Sequence, residues 1–203
     1  SKVSPSNGSI IELNWVKGLN APKGIAISND GNKLYVSDIT DLVEIDIASR
    51  KIIKRFNGPG SSFLNDVVAD NLGNIYVSDT GTNTIYKLDT NFGNSTLSSL
   101  QVWLQSRQLN GPNGLHIDNN KNKLIVVSLG PLSKPGGGME VIDIKNKKIS
   151  SLGKAGTTSP FGSLDGIVSD ATITHYYVTD NPAGKVYTVN ADGTGYVTLI
   201  DLH

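Results

Sequence analysis

Three polar side chains occupy the same position of an internal repeat: Asn65, Asn113 and Asp165. Each follows leucine or proline, precedes aspartate or glycine, and opens a short apolar run. If the repeats are related by rotation, these side chains converge on the rotation axis. Amide and carboxylate oxygens are the ligands that a hard divalent cation such as Ca²⁺ takes. The spacing therefore predicts a cation site, although asparagine and aspartate also cap turns and bond the local backbone.

Three further residues near these positions could contact a substrate. Lys23 occupies the same position in the first repeat, where its ammonium could polarise a carbonyl, hold an anion or extend into solvent. Asp66 directly follows Asn65, where other repeats have glycine, and could bond water, support a metal ligand or have a structural role. His116 lies three residues beyond Asn113 and could transfer protons or be a buried packing residue.

The repeat itself predicts the fold. The shared positions recur at intervals of about 40 to 50 residues, and each repeat contains four strand-like runs separated by turns. Because no segment has a sustained helical period, this pattern predicts an all-β protein, a β-propeller whose four complete blades are four-stranded antiparallel sheets. The predicted strands are 22–27, 33–38, 42–47 and 51–56; 64–69, 74–79, 84–88 and 97–104; 112–117, 123–128, 139–144 and 148–152; and 164–169, 175–180, 185–189 and 196–201.

Aspartate ends the second predicted strand in three of the four repeats, at Asp38, Asp79 and Asp180, with Ser128 in the remaining one. A residue repeated in this way is better explained by a repeated backbone turn than by chemistry. The pattern therefore predicts a structural role for these side chains.

The N-terminal residues predict half a blade. Residues 9–13 are typical of a third strand and residues 15–19 of a short fourth strand, with no first or second strand before them. Half a blade is normally completed by strands from the other terminus. We therefore expect residues 1–203 to form one propeller domain, incomplete at one or both ends, with a six-bladed parent and with unpaired blade edges that could associate.

Composition excludes several classes of function. Basic and acidic residues number 18 each, so the net charge is zero and the chain lacks the basic face that a nucleic-acid partner needs. No apolar stretch approaches the roughly 18 residues of a membrane span. The absence of cysteine removes thiol nucleophiles, disulfides and cysteine-based metal sites. It leaves the compartment open, and we expect a secreted or periplasmic location ahead of a cytoplasmic one.

Four short motifs surround the shared positions. They are Phe63-Leu64-Asn65-Asp66, Gly111-Pro112-Asn113-Gly114-Leu115, Leu164-Asp165-Gly166, and the Tyr-Val-Ser-Asp runs at 35–38 and 76–79. With these motifs the chain resembles the senescence-marker-protein/gluconolactonase family of six-bladed propellers over essentially its whole length. The second blade is equally similar to an NHL repeat, a propeller type used mostly for binding.

The gluconolactonase resemblance implies a metal centre. In that family the residues equivalent to Asn65, Asn113 and Asp165 hold one Ca²⁺ or another divalent ion at the top of the central channel. A glutamate of the first blade is the usual fourth ligand, and its place would precede residue 1 here. The resemblance also implies that Asp165 serves as general base or nucleophile.

These observations favour a metal-assisted hydrolase of lactones or related esters, with a small-molecule substrate at the propeller axis. Ca²⁺ would polarise the ring carbonyl, and Asp165 would act on water or directly on the carbonyl. One alternative is a non-catalytic, NHL-like propeller that binds a protein or small ligand at the channel mouth. Another is an enzyme similar to strictosidine synthase that works without metal.

Overall fold

Each of the four repeats forms one four-stranded antiparallel sheet, with its strands in chain order. The computed structural model describes residues 1–90, 99–131, 136–152 and 161–202. We call the four sheets blades one to four. Their strands are β3 (Pro22–Ile27), β4 (Lys33–Asp38), β5 (Asp41–Asp46) and β6 (Lys51–Asn57); β7 (Leu64–Ala69), β8 (Asn74–Asp79), β9 (Thr84–Asp89) and β10 (Gln101–Gln105); β11 (Pro112–Asp118), β12 (Lys123–Ser128), β13 (Met139–Asp143) and β14 (Ile149–Ser151); and β15 (Leu164–Ser169), β16 (His175–Asp180), β17 (Lys185–Asn190) and β18 (Val197–Asp201).

The predicted four-stranded blades are confirmed. The first and second strands begin and end where the repeat predicts, except that β11 is one residue longer. The third strands shift by a single residue at one or both ends. The fourth strands are less regular. The strand predicted at 97–104 is observed at Gln101–Gln105, and residues 97 and 98 lie outside the described residues.

Apolar side chains between consecutive blades form the core. The second strands alternate strictly: Tyr76 of blade two packs toward blade three, whereas its neighbour Val77 packs toward blade one. Both side chains are completely buried. Each fully buried side chain of this size contributes about 1.5–3 kcal/mol. The three apolar layers, one per blade junction, therefore fix how the blades stack.

The aspartates that end the second strands hold the loops that lead into the innermost strands. Asp38 accepts hydrogen bonds from the backbone N–H groups of Asn20 and Ala21. Asp180 likewise accepts from two consecutive backbone N–H groups. In blade three the hydroxyl of Ser128 accepts from the N–H of Gly138 instead. The predicted structural role is confirmed.

Helix is nearly absent from the described ranges. A single 3-10 turn, Arg107–Leu109, leads into blade three; the Ser106 side chain caps it by accepting from the N–H of Gln108. No helix in the described part of the chain is long and apolar enough to cross a bilayer. The innermost strands are therefore positioned by loops and by sheet packing.

The N-terminal segment differs from the predicted half blade. Strands β1 (Lys2–Val3) and β2 (Ile10–Glu12) pair antiparallel in a separate two-stranded sheet. A strand thus precedes the predicted third strand, contrary to expectation. No strand forms over residues 15–19, so the predicted fourth strand is wrong.

Backbone conformation explains that difference. Asn14 and Gly18 have φ angles of 52° and 90°, which interrupt an extended chain at both ends of the segment. The apolar side chains of Trp15, Val16 and Leu19 pack instead on the outward face of blade one. The segment is apolar because it packs on the face of blade one, and it does not add a strand to that sheet.

Candidate functional site

A β-bulge lies at the start of every innermost strand. Pairing between the first and second strands of each blade is regular except for one register shift, which in blade two falls between Leu64 and Val67. The other three blades have the same shift at the equivalent place. A bulge aims side chains out of the regular alternation. The shared repeat residues that lie within these bulges are Lys23, Asn65, Asn113 and Asp165.

A relay of hydroxyl groups joins consecutive innermost strands. The N–H of Gly24 donates to Ser37 Oγ at 2.9 Å, and that hydroxyl donates to the carbonyl oxygen of Asn65 in the next blade. Blade two repeats the arrangement with Ser78, whose hydroxyl donates to the carbonyl oxygen of Asn113 at 2.6 Å. The relay fixes the bulges of blades two and three against the preceding blade.

Asn113 and Asp165 are in direct contact. The Asn113 amide donates to Asp165 Oδ1 at 3.0 Å and to the Leu164 carbonyl at 3.2 Å. The Asn181 amide donates to the other carboxylate oxygen, Oδ2, at 3.2 Å. No lysine or arginine among the described residues pairs with Asp165. The carboxylate is oriented by neutral donors, and its charge has no cationic partner there.

Asn65 is connected to the same place through strand β11. Its amide donates to Thr80 Oγ1 at 3.1 Å, and Thr80 donates to the carbonyl of Pro112 at 2.8 Å, directly before Asn113. In Asn65 and Asn113 alike the amide nitrogen faces protein, and no donor among the described residues reaches the amide oxygen. Two amide oxygens thus have no protein donor among the described residues, near a carboxylate that has no lysine or arginine partner there. The described residues contain no group of three or more histidine, aspartate or glutamate side chains that could hold a metal ion.

Asp66 connects blades two and three. Its Oδ1 accepts from the N–H of Val67, and its Oδ2 accepts from the N–H of Leu115 in the next blade, both at 2.8 Å. Burial raises the pKa of the Asp66 carboxyl above its ordinary value, and the negative charge of Asp165 adds to the rise, against the effect of the two N–H donors. Asp66 thus lies close enough to interact electrostatically with Asp165, while both its oxygens have structural partners.

Lys23 is exposed at the start of blade one, and its ammonium lies 5.6 Å from the centre of the Phe63 ring. Its successor Gly24 packs directly on Asp66, since a Cβ there would lie 2.5 Å from the Asp66 Cα. Lys23 therefore sits beside the innermost strand of blade two, with an exposed side chain whose ammonium lies over Phe63.

His116 lies between blades three and four. Its ring contacts the Tyr176 ring edge to face at 5.7 Å, and its Nε2 has no hydrogen-bond partner. Burial lowers the pKa of the His116 imidazole below its ordinary value, and the charge of Asp118 only partly opposes this. The ring packs on Tyr176, and its neutral form is favoured.

That pKa shift predicts how stability depends on pH. Because the folded state binds a proton at His116 less readily than the unfolded chain, the free energy of unfolding should fall as pH drops below about 6.5. His116→Phe keeps the ring contact with Tyr176 and removes the proton. Urea unfolding at pH about 7.5 and about 5.5 should show a smaller pH-dependent loss for the variant than for the wild type. Equal losses would contradict the assignment.

Sequence reasoning missed the residues that hold the candidate site in place. Thr80 and Asn181 directly follow the strand-ending aspartates and bond Asn65 and Asp165 of their own blades. Ser37 and Ser78 directly precede those aspartates and form the relay. The signal that could have found them is their position directly beside the strand-ending aspartates.

Comparison with known proteins identifies the architecture. No family model and no curated protein matches the chain. A streptogramin B lyase superposes with a TM-score of 0.64 at 17% identity, covering 88% of this chain. A chain from a nidogen–laminin complex gives 0.66 at 16% identity and 90% coverage. A protein assigned as TolB from Agrobacterium tumefaciens gives 0.65 at 18% identity and 89% coverage. These neighbours are β-propellers.

The chain has the β-propeller fold. It spans 54%, 65% and 62% of the lengths of those three neighbours, respectively. At identities this low the likeness establishes the fold and no shared activity. The function must be argued from the residues of the innermost strands.

Proposed function

We propose that this propeller is a divalent-cation-dependent hydrolase of lactones or related esters, with Ca²⁺ as the preferred ion. The observation that carries the proposal is the contact between Asn113 and Asp165, with Asn181 on the second carboxylate oxygen. Neutral amides orient both oxygens of the Asp165 carboxylate, and no lysine or arginine among the described residues neutralises its charge. Such a carboxylate is suited to bind a cation.

The donor chemistry fits the proposed ion. The oxygens of Asn65 and Asn113 and the carboxylate of Asp165 would supply neutral and charged oxygen ligands, which a hard cation prefers. Calcium takes six to eight oxygens, so three side chains would leave positions for water and for a substrate carbonyl. The one formal charge in this set predicts modest affinity, in the range of weak calcium sites.

Ester hydrolysis needs a polarised carbonyl and an activated water. A bound divalent cation supplies Lewis acidity at the carbonyl oxygen. Asp165 is the residue of the chain that would accept a proton from the attacking water. Lys23, exposed beside the same strands, would attract the negative charge that develops on the substrate or its acid product. Asp66 would keep blades two and three in register beneath them.

A lactone panel tests this function. We expect turnover in calcium, loss of turnover in EDTA, and a decrease in kcat/KM of about a hundredfold or more in Asp165→Asn, because a general base typically contributes that much. Asp192→Asn, an exposed turn residue of blade four, is the matched control and should retain activity. Turnover that is indifferent to Asp165→Asn would overturn the site assignment. No turnover on any lactone would favour the non-catalytic binding propeller.

A further inference from the structure

A cavity of about 320 Å³ lies between blades one and two, at the end of the innermost strands opposite the shared repeat positions. Both blades that form it are complete four-stranded sheets. Tyr35 and Ile75, at its base, are buried residues of the second strands β4 and β8, and Ala69 ends the innermost strand β7 beside them. Asn65 precedes Ala69 on β7 by about 13 Å of extended strand. The cavity is therefore separate from the candidate metal site.

A small residue leaves this space open. Ala69 occupies the position that Ile117 holds in blade three, where the isoleucine is 9% exposed and packs into the core between blades two and three. Tyr76, at the position of Tyr35, is covered at that junction by the Trp103 ring, with 5.1 Å between the ring centres. Among the described residues no aromatic ring contacts Tyr35 in this way. Side chains thus fill at one junction the space that is open at the other.

Hydrogen bonds hold the walls of the cavity in place. The Asn29 amide, in the turn after β3, donates to the carbonyl of Asp70 in the turn after β7, at 2.9 Å. The Thr90 hydroxyl, directly after β9, donates to the Gly73 carbonyl at 2.5 Å. A cavity with walls fixed in this way loses little conformational entropy when it takes up a ligand.

The charges around the cavity leave a negative excess. Lys33 and Glu44 form an ion pair at 2.5 Å, so their charges offset each other. Asp30 forms no ion pair among the described residues. Hydrogen bonds from the Ser28 hydroxyl and from Asn32 lower the pKa of the Asp30 carboxyl to about 2, so it is ionised at neutral pH. The lining therefore favours a positive ligand.

Two polar side chains of the lining are available to such a ligand. Burial raises the pKa of the Tyr35 hydroxyl, and the negative charges of Glu44 and Asp30 add to the rise. That hydroxyl has no hydrogen-bond partner in the described part of the chain, and neither does the side-chain amide of Asn71 on the opposite wall. Each group offers an oxygen that can accept a hydrogen bond.

We propose that this cavity binds a small organic cation, a primary amine carried on a short apolar chain. Its ammonium donates to the Asp30 carboxylate and to the amide oxygen of Asn71. Its hydrocarbon part packs on Ala69 and Ile75. An ammonium has donors and no acceptor, so it matches a lining whose unbalanced charge is negative. The site is independent of the proposed metal centre, and its test does not depend on turnover.

Titration of the 203-residue chain with n-butylammonium, followed through its backbone amide signals by NMR, tests the site. We expect shifts confined to the turns at 28–31 and 70–73 and the strand residues next to them. The dissociation constant should be on the order of millimolar, because so small a ligand gains little binding energy. n-Butanol has nearly the same shape without the charge and should bind about tenfold more weakly. Butyrate has the opposite charge, and no shifts are expected from it.

Three variants test the charge and the cavity separately. Asp30→Asn keeps an oxygen that can accept within the turn, and it should raise the dissociation constant of n-butylammonium about tenfold, to that of n-butanol. Asp192→Asn is the matched control and should leave binding unchanged, because a threonine hydroxyl bonds Asp192 as a serine hydroxyl bonds Asp30. Ala69→Ile places the isoleucine of blade three in the cavity and should abolish the shifts with both ligands.

Circular dichroism and thermal melts establish that each variant is folded. Equal affinities for n-butylammonium and n-butanol, or binding that Asp30→Asn does not weaken, would overturn the proposal, since charge would then not select the ligand. Binding that survives in Ala69→Ile, or no shift at any concentration of n-butylammonium, would also overturn it.

Discussion

Replacing Asp79 by alanine should lower the free energy of unfolding by about 3 kcal/mol or more, because it removes a buried carboxylate that accepts from four backbone N–H groups. Asp79 is completely buried. Its carboxylate accepts from the backbone N–H groups of Ser62 at 2.8 Å, Phe63 at 3.2 Å, Gly81 at 2.9 Å and Thr82 at 3.0 Å. These bonds hold together the loop into blade two and the turn that follows its second strand.

Asp192→Ala is the matched control for this prediction. Asp192 also accepts a backbone N–H, that of Thr194, but it lies in an exposed turn where water replaces the lost bond. Urea unfolding should show a large decrease in the midpoint for Asp79→Ala and little change for Asp192→Ala. Similar midpoints for the two variants would contradict the structural role assigned to the strand-ending aspartates.

Gly114→Ala should destabilise the chain by about 3 kcal/mol, through overpacking of the junction between blades three and four. The added Cβ would lie 2.5 Å from the Asp165 carbonyl oxygen, 2.9 Å from Val127 Cγ2 and 3.1 Å from the Gly166 Cα. Two of these atoms belong to the backbone of the next blade, which cannot move without shifting the whole sheet. The same shift would displace Asp165 from Asn113.

Gly166→Ala is the matched comparison, one blade further along. Its Cβ would meet only the Thr179 hydroxyl among the described residues, at 3.3 Å, so the free energy of unfolding should change by less than about 1 kcal/mol. Equal destabilisation by the two substitutions would contradict the stacking of innermost strands.

The strands of the blades could be predicted because the same pattern of strands and turns occurs four times in the sequence. The shared positions, the turn and the strand-ending aspartate recur in constant order, so even the irregular fourth strands are recognisable. Residues 15–19 have no counterpart in a complete repeat. There the interpretation rested on apolar character alone, which does not distinguish a strand from a segment that packs on one. The positive φ angles of Asn14 and Gly18 prevent this segment from forming a regular strand.

The candidate site could be predicted only in part. The sequence shows that its residues share one position of the repeat. The structure brings two of them, Asn113 and Asp165, into contact across two blades. The bulges that turn these side chains out of the sheet are a property of strand pairing, and a single strand's sequence does not encode them. His116 has the residue type of a proton carrier, but its position after the bulge directs it between blades three and four.

Calcium-dependent stabilisation is the most direct test of the proposed metal centre. The measurement is a thermal melt of the chain in millimolar Ca²⁺ and in EDTA, together with Asp165→Asn under both conditions. Calcium at about 100 times its dissociation constant should add roughly 2.7 kcal/mol, a rise of several degrees for a chain of this size. The proposed site predicts that rise in the wild type and its loss in Asp165→Asn. No rise, or the same rise in both proteins, would contradict it.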